Sequence, residues 1–461
     1  MSSKNKKKKS VVSKLPSEFE QININAAGID IGAQTHYVAV PKGRDPQGQD
    51  VRYFETFTTD LYALADWLTQ CDIDTVAMES TGVYWIPLFD ILEQKGFEVR
   101  LVNPRSIKHA PGRKSDVVDC QWIQQLHTYG LLTSAFRPDD QISVLRSYHR
   151  QRAMLVNHAS THIQHMQKAL ELMNIKLNNV ISDITGVTGM KIIRSILSGE
   201  RNPKKLALHR NPRCKKSVKE IAKSLHGNWR DEHLFALQQA VALYGFYQTQ
   251  IEACDQKIQT QLSCFEDRSN GCELPPTGKS GGSGKKLTFD ARKHLYRMTG
   301  VDLTRIVGLD TPTVLSIISE VGLDMNRWPT SKHFASWLSL SPGSKISGGK
   351  NFSSKTKPSA NRAAHAFRMA AYSLHRSNTA IGAFLRRKKA QLGAPKAITA
   401  TAHKIARIFY EMLKNRTEYK DLGVDYYQNR YKERTLRNLK RKAKIFGFEL
   451  VNTKQEQSVM A

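Results

Sequence analysis

The sequence predicts a mixed α/β domain followed by a long, mostly helical remainder. Between residues 25 and 140, short apolar runs rich in β-branched residues alternate with stretches of helical spacing. From Ile142 onward, apolar residues recur at steps of three and four, which is the spacing of amphipathic helices. A stretch rich in Gly, Ser, Pro and Lys then divides the helical part in two. With 461 residues, the chain is long enough for two or three domains.

The first domain is predicted to contain eight elements in the order βββαβαβα. Three strands come first, and helices then alternate with strands. The predicted ranges are strands at 26–32, 36–41 and 51–57, a helix at 61–70, a strand at 75–79, a helix at 83–95, a strand at 98–102 and a helix from about residue 116. This order resembles that of the ribonuclease-H superfamily. We therefore expect a ribonuclease-H-like domain at residues 25–140.

Two long amphipathic helices are predicted in the region 141–265. Their apolar residues form two stripes, the first being Leu155, Ala159, Ile163, Met166, Leu170 and Met173 and the second Leu237, Tyr244, Tyr247, Ile251, Cys254, Ile258 and Leu262. Stripes of this kind indicate either an antiparallel helix pair or a dimer seam. We interpret the region as a helical coiled-coil or dimerisation region.

The remaining boundaries follow from composition. Residues 266–288 read as a flexible linker, because they are rich in Gly, Ser, Pro and Lys. A mostly helical C-terminal domain is expected at 289–420. The lysine-rich segment 1–24 is expected to be a disordered arm, and 421–461 a basic tail.

The charge balance predicts a polyanionic partner. The chain has 70 Lys and Arg against 41 Asp and Glu, which gives a formal net charge of +29. Nucleic acid is the first expectation. No apolar run approaches the roughly 20 residues of a membrane-spanning helix, and no apolar segment follows the basic N-terminus as in a secretory signal. We therefore expect a cytoplasmic protein with no membrane partner. Its six cysteines form no C-x-x-C pair, which favours reduced thiols.

Four carboxylates occupy positions at which the presence of an acidic side chain needs an explanation. Asp30 lies inside the first predicted strand, and Glu79 ends another apolar strand. Asp116 and Asp119 are three residues apart at a helix start, so they share one face. In the predicted topology these places converge, and four hard carboxylates suit Mg²⁺ or Mn²⁺. Taken singly, Asp116 could instead be a residue favoured by the helix dipole, and Glu79 a salt-bridged strand end.

Basic residues precede the last predicted helix of this domain. They are expected to hold DNA phosphates, although a solvated basic loop is the alternative, and they are Arg105, Lys108, Arg113 and Lys114. The sequence Gly-Ile-Asp-Ile-Gly around Asp30 is also the first phosphate motif of sugar kinases and actin-like ATPases. That alternative requires a second glycine-rich phosphate loop and an adenosine loop, and neither is found in the sequence.

Two features of the C-terminal domain bear on nucleic acid. The segment 303–315 reads as helix, glycine turn and helix, which commonly presents backbone amides to a DNA phosphate. A later loop carries Ser341, Ser344 and Ser347 among glycines. The lysines expected to contact nucleic acid there are Lys345, Lys350 and Lys355. A serine hydroxyl is a poor nucleophile without activation, so spacing alone favours turn residues at these serines.

Four motifs together carry a family resemblance. They are Gly-Ile-Asp-Ile-Gly at Asp30, Met-Glu-Ser-Thr-Gly at Glu79, Lys-Ser-Asp-Val-Val-Asp from Lys114, and Ser-Pro-Gly…Ser-Gly-Gly-Lys…Asn-Arg-Ala-Ala around Ser347. With them, residues 25–415 resemble the DEDD insertion-sequence transposases of the IS110 group, relatives of Piv-type DNA invertases. The resemblance implies a RuvC-like N-terminal domain whose four acids are the carboxylates named above, and it implies that Ser347 is the nucleophile.

The resemblance also implies properties that the spacing of residues alone does not predict. The first is a transient phosphoserine bond to donor or target DNA, and the second is guidance by a bridge RNA from the element's own end. The others are sites shared between the protomers of a homodimer or homotetramer, and association with the bacterial nucleoid during the reaction. The chain departs from the family in its long central and linker segments, its basic tails, and Asp310, where glycine is frequent.

The sequence thus predicts a site-specific recombinase that cleaves and rejoins DNA strands with Mg²⁺ and a serine nucleophile. Two alternatives stay open at this point. One is a metal-dependent nuclease or junction resolvase that uses water, with the C-terminal domain as a DNA clamp. The other is a non-enzymatic nucleic-acid-binding relative, against which the full set of four acids argues.

Overall fold

A computed structural model describes residues 20–103, 115–276 and 287–450 of the chain. The chain divides into two compact units, Met1–Arg137 and Pro138–Ala461, and each is described by itself. The first unit is mixed α/β and the second is mostly helical, which confirms the predicted fold class at this level.

The first unit is built on a five-stranded sheet. Its strands are β1 (Ala26–Ile31), β2 (Thr35–Ala39), β3 (Val51–Glu55), β4 (Thr75–Glu79) and β5 (Glu98–Val102). The order across the sheet is β3-β2-β1-β4-β5. Strand β2 pairs antiparallel with both β1 and β3, whereas β4 runs parallel to β1 and to β5. The three central strands are therefore β2, β1 and β4, and the site residues lie on β1 and β4.

Helices cover both faces of this sheet. Helices α1 (Thr58–Gln70) and α2 (Trp85–Gln94) contribute to the main core, with side chains of β1, β2 and β4. Helix α3 (Asp116–Thr128) lies against the other face. Several limits differ from the predicted ones by one to three residues, among them the starts of two helices. Helix α1 begins three residues early because its first turn is polar and gives no apolar signal, and α2 begins two residues late because Gly82 introduces a turn with φ of +56°.

The second unit begins with two long helices, α4 (Asp140–Leu172) and α8 (Asp231–Ser263). They pack antiparallel: Gln261 donates a hydrogen bond to the backbone oxygen of Gln141 (3.0 Å), and Arg152 pairs with the fully buried Asp255. Of the two predicted alternatives, the helices thus form a pair within one chain. Three shorter helices lie between them in sequence: α5 (Val187–Leu197), α6 (Pro203–Ala207) and α7 (Val218–Ser224).

The C-terminal part of the second unit packs around an aromatic core. Phe334, Phe367, Phe409 and Tyr410 are almost completely buried and contact one another. The helices are α9 (Ala291–Thr299), α10 (Thr311–Val321), α11 (Ser331–Trp337), α12 (Arg362–Ser373), α13 (Ala380–Leu392), α14 (Ala394–Asn415) and α15 (Gly423–Ile445). Between α11 and α12 lies a hairpin of β6 (Lys345–Ser347) and β7 (Lys350–Ser353). Among the residues that the structure describes, no helix combines the length and apolar character needed to cross a membrane.

Candidate active site

Asp30 lies on the face of the sheet that α3 covers. Side chains alternate along a strand, so Ile29 and Ile31 enter the core beneath α1 and α2 while Gly28 and Asp30 face the other way. The packing at Gly28 is very close, because a Cβ there would lie 2.5 Å from the carbonyl oxygen of Cys120 and nearer still to the backbone nitrogen of Gln124. Glycine in a strand interior often marks such a close backbone approach. Gly28 thus lets α3 lie directly against β1, next to Asp30.

Glu79 emerges beside Asp30 on the neighbouring strand. In the parallel register, Ile29 is level with Met78, so Asp30 and Glu79 are the next residues along their strands. Ala77, two residues before Glu79, packs in a small core with α3 residues, which places Glu79 on the same face. Thr81 Oγ1 donates a hydrogen bond to Glu79 Oε1 (2.7 Å). Asp30 and Glu79 therefore share both a face and an edge of the sheet.

Asp116 and Asp119 lie in the first turn of α3. Ser115 caps this helix, its hydroxyl accepting a hydrogen bond from the backbone nitrogen of Val118 (3.4 Å). Burial, followed by the negative charge of Asp30 and more weakly that of Asp119, raises the pKa of the neighbouring Cys120 thiol to about 12. Asp116 is exposed. Both strand acids and the start of α3 thus occupy the same side of the sheet.

The acids are brought to one face without being gathered into a ligand cluster. Within residues 20–103, 115–276 and 287–450, no three His, Cys, Asp or Glu side chains lie close enough together to hold a metal ion. Carboxylate oxygens are nevertheless the donors that Mg²⁺ prefers. The basic residues predicted to hold DNA phosphates, Arg105, Lys108, Arg113 and Lys114, lie outside the described residues.

Ser347 belongs to the second unit and ends strand β6 at the tip of the hairpin. It is level with Lys350 across the hairpin, and the two residues between them, Gly348 and Gly349, have φ of +54° and +73°. Positive φ at both central positions defines a type I′ turn, which glycine adopts at little cost. The glycines thus occupy the two central positions of the turn, and the exposed Ser347 is the residue that precedes them at the end of β6. Ser344, also exposed, precedes β6.

The three predicted lysine contacts near Ser347 have different outcomes. Lys350 and Lys355 are exposed, and Lys350 starts β7 opposite Ser347. The backbone of Lys345 starts β6, whereas its side chain lies outside the described part of the structure. Two lysines are therefore available to solvent on the strand that faces the serine and just after it.

The expected helix, glycine turn and helix at 303–315 is only half present. Its first part is a single 3-10 turn, Leu303–Arg305, because the Asp302 side chain accepts a hydrogen bond from the backbone nitrogen of Thr304 (3.1 Å). The second part begins α10, where the Asp310 carboxylate accepts from the backbone nitrogen of Thr313 (3.0 Å). The Asp310 carboxylate thus occupies one of the amides that a phosphate could contact, and the phosphate contact itself stays a prediction.

Sequence reasoning missed two residues that shape the acid site. Gly28 sets the distance between α3 and β1, and its signal was a glycine inside a buried strand. Thr81 holds Glu79, and its signal was the polar Ser-Thr pair that directly follows the strand.

Two protein-family models match the chain, one mostly within the first unit and one within the second. A family model described as a transposase, of the DEDD type of IS110 elements, matches residues 27–175. A second model, described as the transposase IS116/IS110/IS902 family, matches residues 301–386. Together the matches span about half of the chain and include all four acids and Ser347. No curated protein matches the sequence.

Proposed function

Since this chain belongs to the IS110 family of transposases and is an enzyme that cuts and transfers DNA, we propose that four acids and one serine carry its chemistry. The acids are Asp30, Glu79, Asp116 and Asp119, and the serine is Ser347. The observation that carries the proposal is the placement of Asp30 and Glu79 on adjacent strand ends, on the face where α3 begins with the other two acids. The reaction is the transposition of an insertion sequence by DNA strand cleavage and rejoining.

The proposed fold of the first unit is that of a RuvC-like, ribonuclease-H-like domain. Its support is the strand order β3-β2-β1-β4-β5, with β2 antiparallel to its neighbours and the later strands parallel. In such a sheet the ends of β1 and β4 and the helix packed on them form one edge, which explains why acids so distant in sequence serve one site.

The acids would hold Mg²⁺ or Mn²⁺, whose bound form neutralises phosphate charge and lowers the pKa of an attacking hydroxyl. Carboxylates are the fitting donors, and Asp30, Glu79 and Asp119 lie on one face. Thr81 orients Glu79 by donating to one of its oxygens, so the other oxygen is the better candidate ligand. Asp116 is exposed on the first helical turn, so its side chain can change rotamer to reach a ligand.

Ser347 would supply the nucleophile. Its Oγ attacks the scissile phosphorus, an Oγ–P bond forms as one P–O bond of the DNA backbone breaks, and the released strand end leaves as a hydroxyl that takes the proton. The phosphoserine keeps the bond energy, so attack by a strand hydroxyl can rejoin DNA without ATP. The exposed Lys350 and Lys355 are placed to contact the phosphates that flank the reacting one.

Three further elements of the proposal rest on the family alone. They are guidance by a bridge RNA, composite sites in a homodimer or homotetramer, and recruitment to the nucleoid while the enzyme reacts. The domain limits inferred from the sequence, including the helical region 141–265 as a coiled coil or dimerisation element, belong to the same proposal.

Trapping the covalent intermediate tests the proposal. Full-length protein with Mg²⁺ and element-end DNA should give a protein–DNA adduct that survives denaturation. The variant Ser347→Ala should lose it, whereas Ser344→Ala, which changes an equally exposed serine in the same loop, should keep it. Asp30→Asn should lose both the adduct and DNA cleavage.

Two outcomes would contradict parts of the proposal. If Ser347→Ala still cuts DNA at the normal rate without an adduct, water is the nucleophile and the enzyme acts as a RuvC-like nuclease or resolvase. If Asp30→Asn cuts normally, the acid site is wrong. The first outcome would overturn the assignment of the serine and the second that of the acids, because each variant changes only one of these two parts of the proposal.

A further inference from the structure

A cavity of about 650 Å³ lies among α13, α14 and α15 near the C-terminal end of the second unit. Its walls combine aromatic rings with positive side chains. The rings include Phe384, Tyr427 and Tyr431, and the cations at its centre are Arg387 and Lys404. Helix α15 has no buried residue along its whole length. Neither family match includes α14 or α15, so the cavity is built largely outside the matched regions.

Arg387 and Lys404 lie over the same two rings, those of Phe384 and Tyr427. The Arg387 guanidinium carbon lies 4.1 Å from the ring centre of Tyr431 and 5.3 Å from that of Tyr427. The Lys404 Nζ lies 5.0 Å from the ring centre of Phe384. Burial, followed by the positive charge of Arg387, lowers the pKa of Lys404. Two like charges thus share one aromatic enclosure, and an anion between them would relieve their repulsion.

Polar atoms in this enclosure lack partners in the described part of the chain. Arg387 Nε and the nearby Asp421 Oδ2 are shielded from solvent and make no hydrogen bond there, whereas the Tyr427 hydroxyl interacts with the Arg387 side chain. Buried polar atoms of proteins are normally satisfied, so each exception calls for an explanation such as a bound ligand. Of these two atoms, Arg387 Nε is the one that can donate a hydrogen bond. The enclosure therefore suits a ligand that accepts hydrogen bonds and carries negative charge.

One carboxylate lies nearby and does not neutralise the cavity. Asp421 raises the pKa of Lys404, but less than burial and Arg387 lower it. Its Oδ1 accepts hydrogen bonds from the backbone nitrogens of Ala380 (3.1 Å) and Gly423 (2.8 Å), so it caps two helix starts. The rim adds further exposed cations along α15 and the preceding loop: Lys420, Arg430, Arg434 and Arg437.

We propose that this cavity binds an unpaired nucleic-acid strand, with one phosphate between Arg387 and Lys404 and a base stacked on a tyrosine ring. Tyr426 lines the cavity and is 45% exposed, so it offers a ring face to a base. A duplex keeps its bases inside and could bring only phosphates to the mouth, which would leave the exposed Tyr426 ring without a base to stack on it. The inference rests on the proposed function only for the presence of nucleic acid, and it uses neither the acids nor Ser347.

Equilibrium binding tests the proposal. Fluorescence anisotropy would follow a labelled twelve-nucleotide strand, as DNA and as RNA, and the duplex of the same sequence, on the full chain carrying Asp30→Asn to prevent cutting. Because a charge-assisted hydrogen bond contributes about 1.5–3 kcal/mol, Lys404→Gln should weaken single-strand binding by about tenfold or more. Tyr426→Leu should weaken it as well, whereas duplex binding should change little in both variants.

Paired rim variants keep the test decisive if Lys404→Gln fails to fold. The double variant Arg434→Gln and Arg437→Gln changes only exposed residues, and the control double variant Lys219→Gln and Lys223→Gln removes the same charge on α7. The rim variant should lower the slope of log affinity against log salt by about 0.7 for each lost phosphate contact. The control should keep both the slope and the preference for single strands.

Each outcome either supports or overturns the proposal. Loss of single-strand binding in the cavity variants alone supports the proposal, whether DNA or RNA binds better. Equal losses in cavity and control variants, equal effects on duplex and single strand, or unchanged binding would overturn it. These results do not depend on cleavage: a chain that binds as expected but never cuts DNA would fail only the proposed function.

Discussion

Adding one methyl group at Gly28 tests whether the close approach of α3 to β1 positions the acids. The change Gly28→Ala leaves every proposed site residue intact. It places a Cβ 2.5 Å from the carbonyl oxygen of Cys120 and 2.7 Å from the Cα of Gln124, and nearer still to the Gln124 nitrogen. All three atoms belong to the backbone of α3, so no change of side-chain rotamer can make room. The helix itself has to move.

The size of the effect follows from that displacement. Restoring ordinary contact requires α3 to retreat from β1 by about 1 Å, and overpacking of this kind costs about 1–3 kcal/mol of stability. Asp119 moves with the helix while Asp30 and Glu79 stay on the sheet. Because a misplacement of about 1 Å can lower a rate by about a hundredfold, DNA cleavage should fall by about that factor.

The assay compares single-turnover cleavage rates and chemical denaturation of full-length variants. Gly245→Ala is the matched control, since nothing lies within 4 Å of a Cβ at that position in α8; it should leave cleavage unchanged and raise helix stability by up to about 1 kcal/mol. Adding Gln124→Ala to Gly28→Ala should not restore the rate, because the clash is with backbone. Wild-type cleavage by Gly28→Ala would refute the link between helix position and activity.

Three other outcomes are expected from described contacts. Burial, followed by the charge of Arg100, lowers the pKa of His127 to about 4, and burial lowers the pKa of His36 on β2 to about 4. The unfolded state therefore binds more protons between pH 4 and 6.5, and each histidine should lower stability by up to about 3 kcal/mol as pH drops through that window. Hydrogen exchange of β4 peptides, corrected for intrinsic rates, should show this, and His127→Gln should remove about half of the pH dependence. Glu320 accepts two hydrogen bonds from the partly exposed Arg150 (2.9 and 2.7 Å). Glu320→Ala should therefore cost about 1.5–3 kcal/mol in chemical denaturation and Glu320→Gln less, and an unshifted midpoint would contradict this. Gly348→Ala and Gly349→Ala should each destabilise the turn by about 1–2 kcal/mol and reduce adduct formation. Gly348→Asn should do neither, because asparagine suits a type I′ turn. Equal adduct yields in all three variants would show that the turn does not position the serine.

The order of strands and helices in the first unit can largely be predicted from the local pattern of apolar and polar residues. The predicted strands and helices between residues 26 and 128 are all present, and their limits differ by a few residues at most. Local pattern suffices here because strands and helices bury residues with different periods, and each period is visible within one segment. The same holds for Asp30, whose position inside a buried strand marked it before any contact was known.

The sequence by itself therefore determined the fold class, the element order of the first unit and the residues worth testing. Only the tertiary structure decided which surfaces meet. The antiparallel pairing of α4 with α8 within one chain and the shared face of Asp30, Glu79 and α3 join segments far apart in sequence. The cavity at Arg387 and Lys404 depends on how three consecutive helices pack. The physical reason is that periodicity shows that a face is buried, whereas long-range packing selects the partner that buries it.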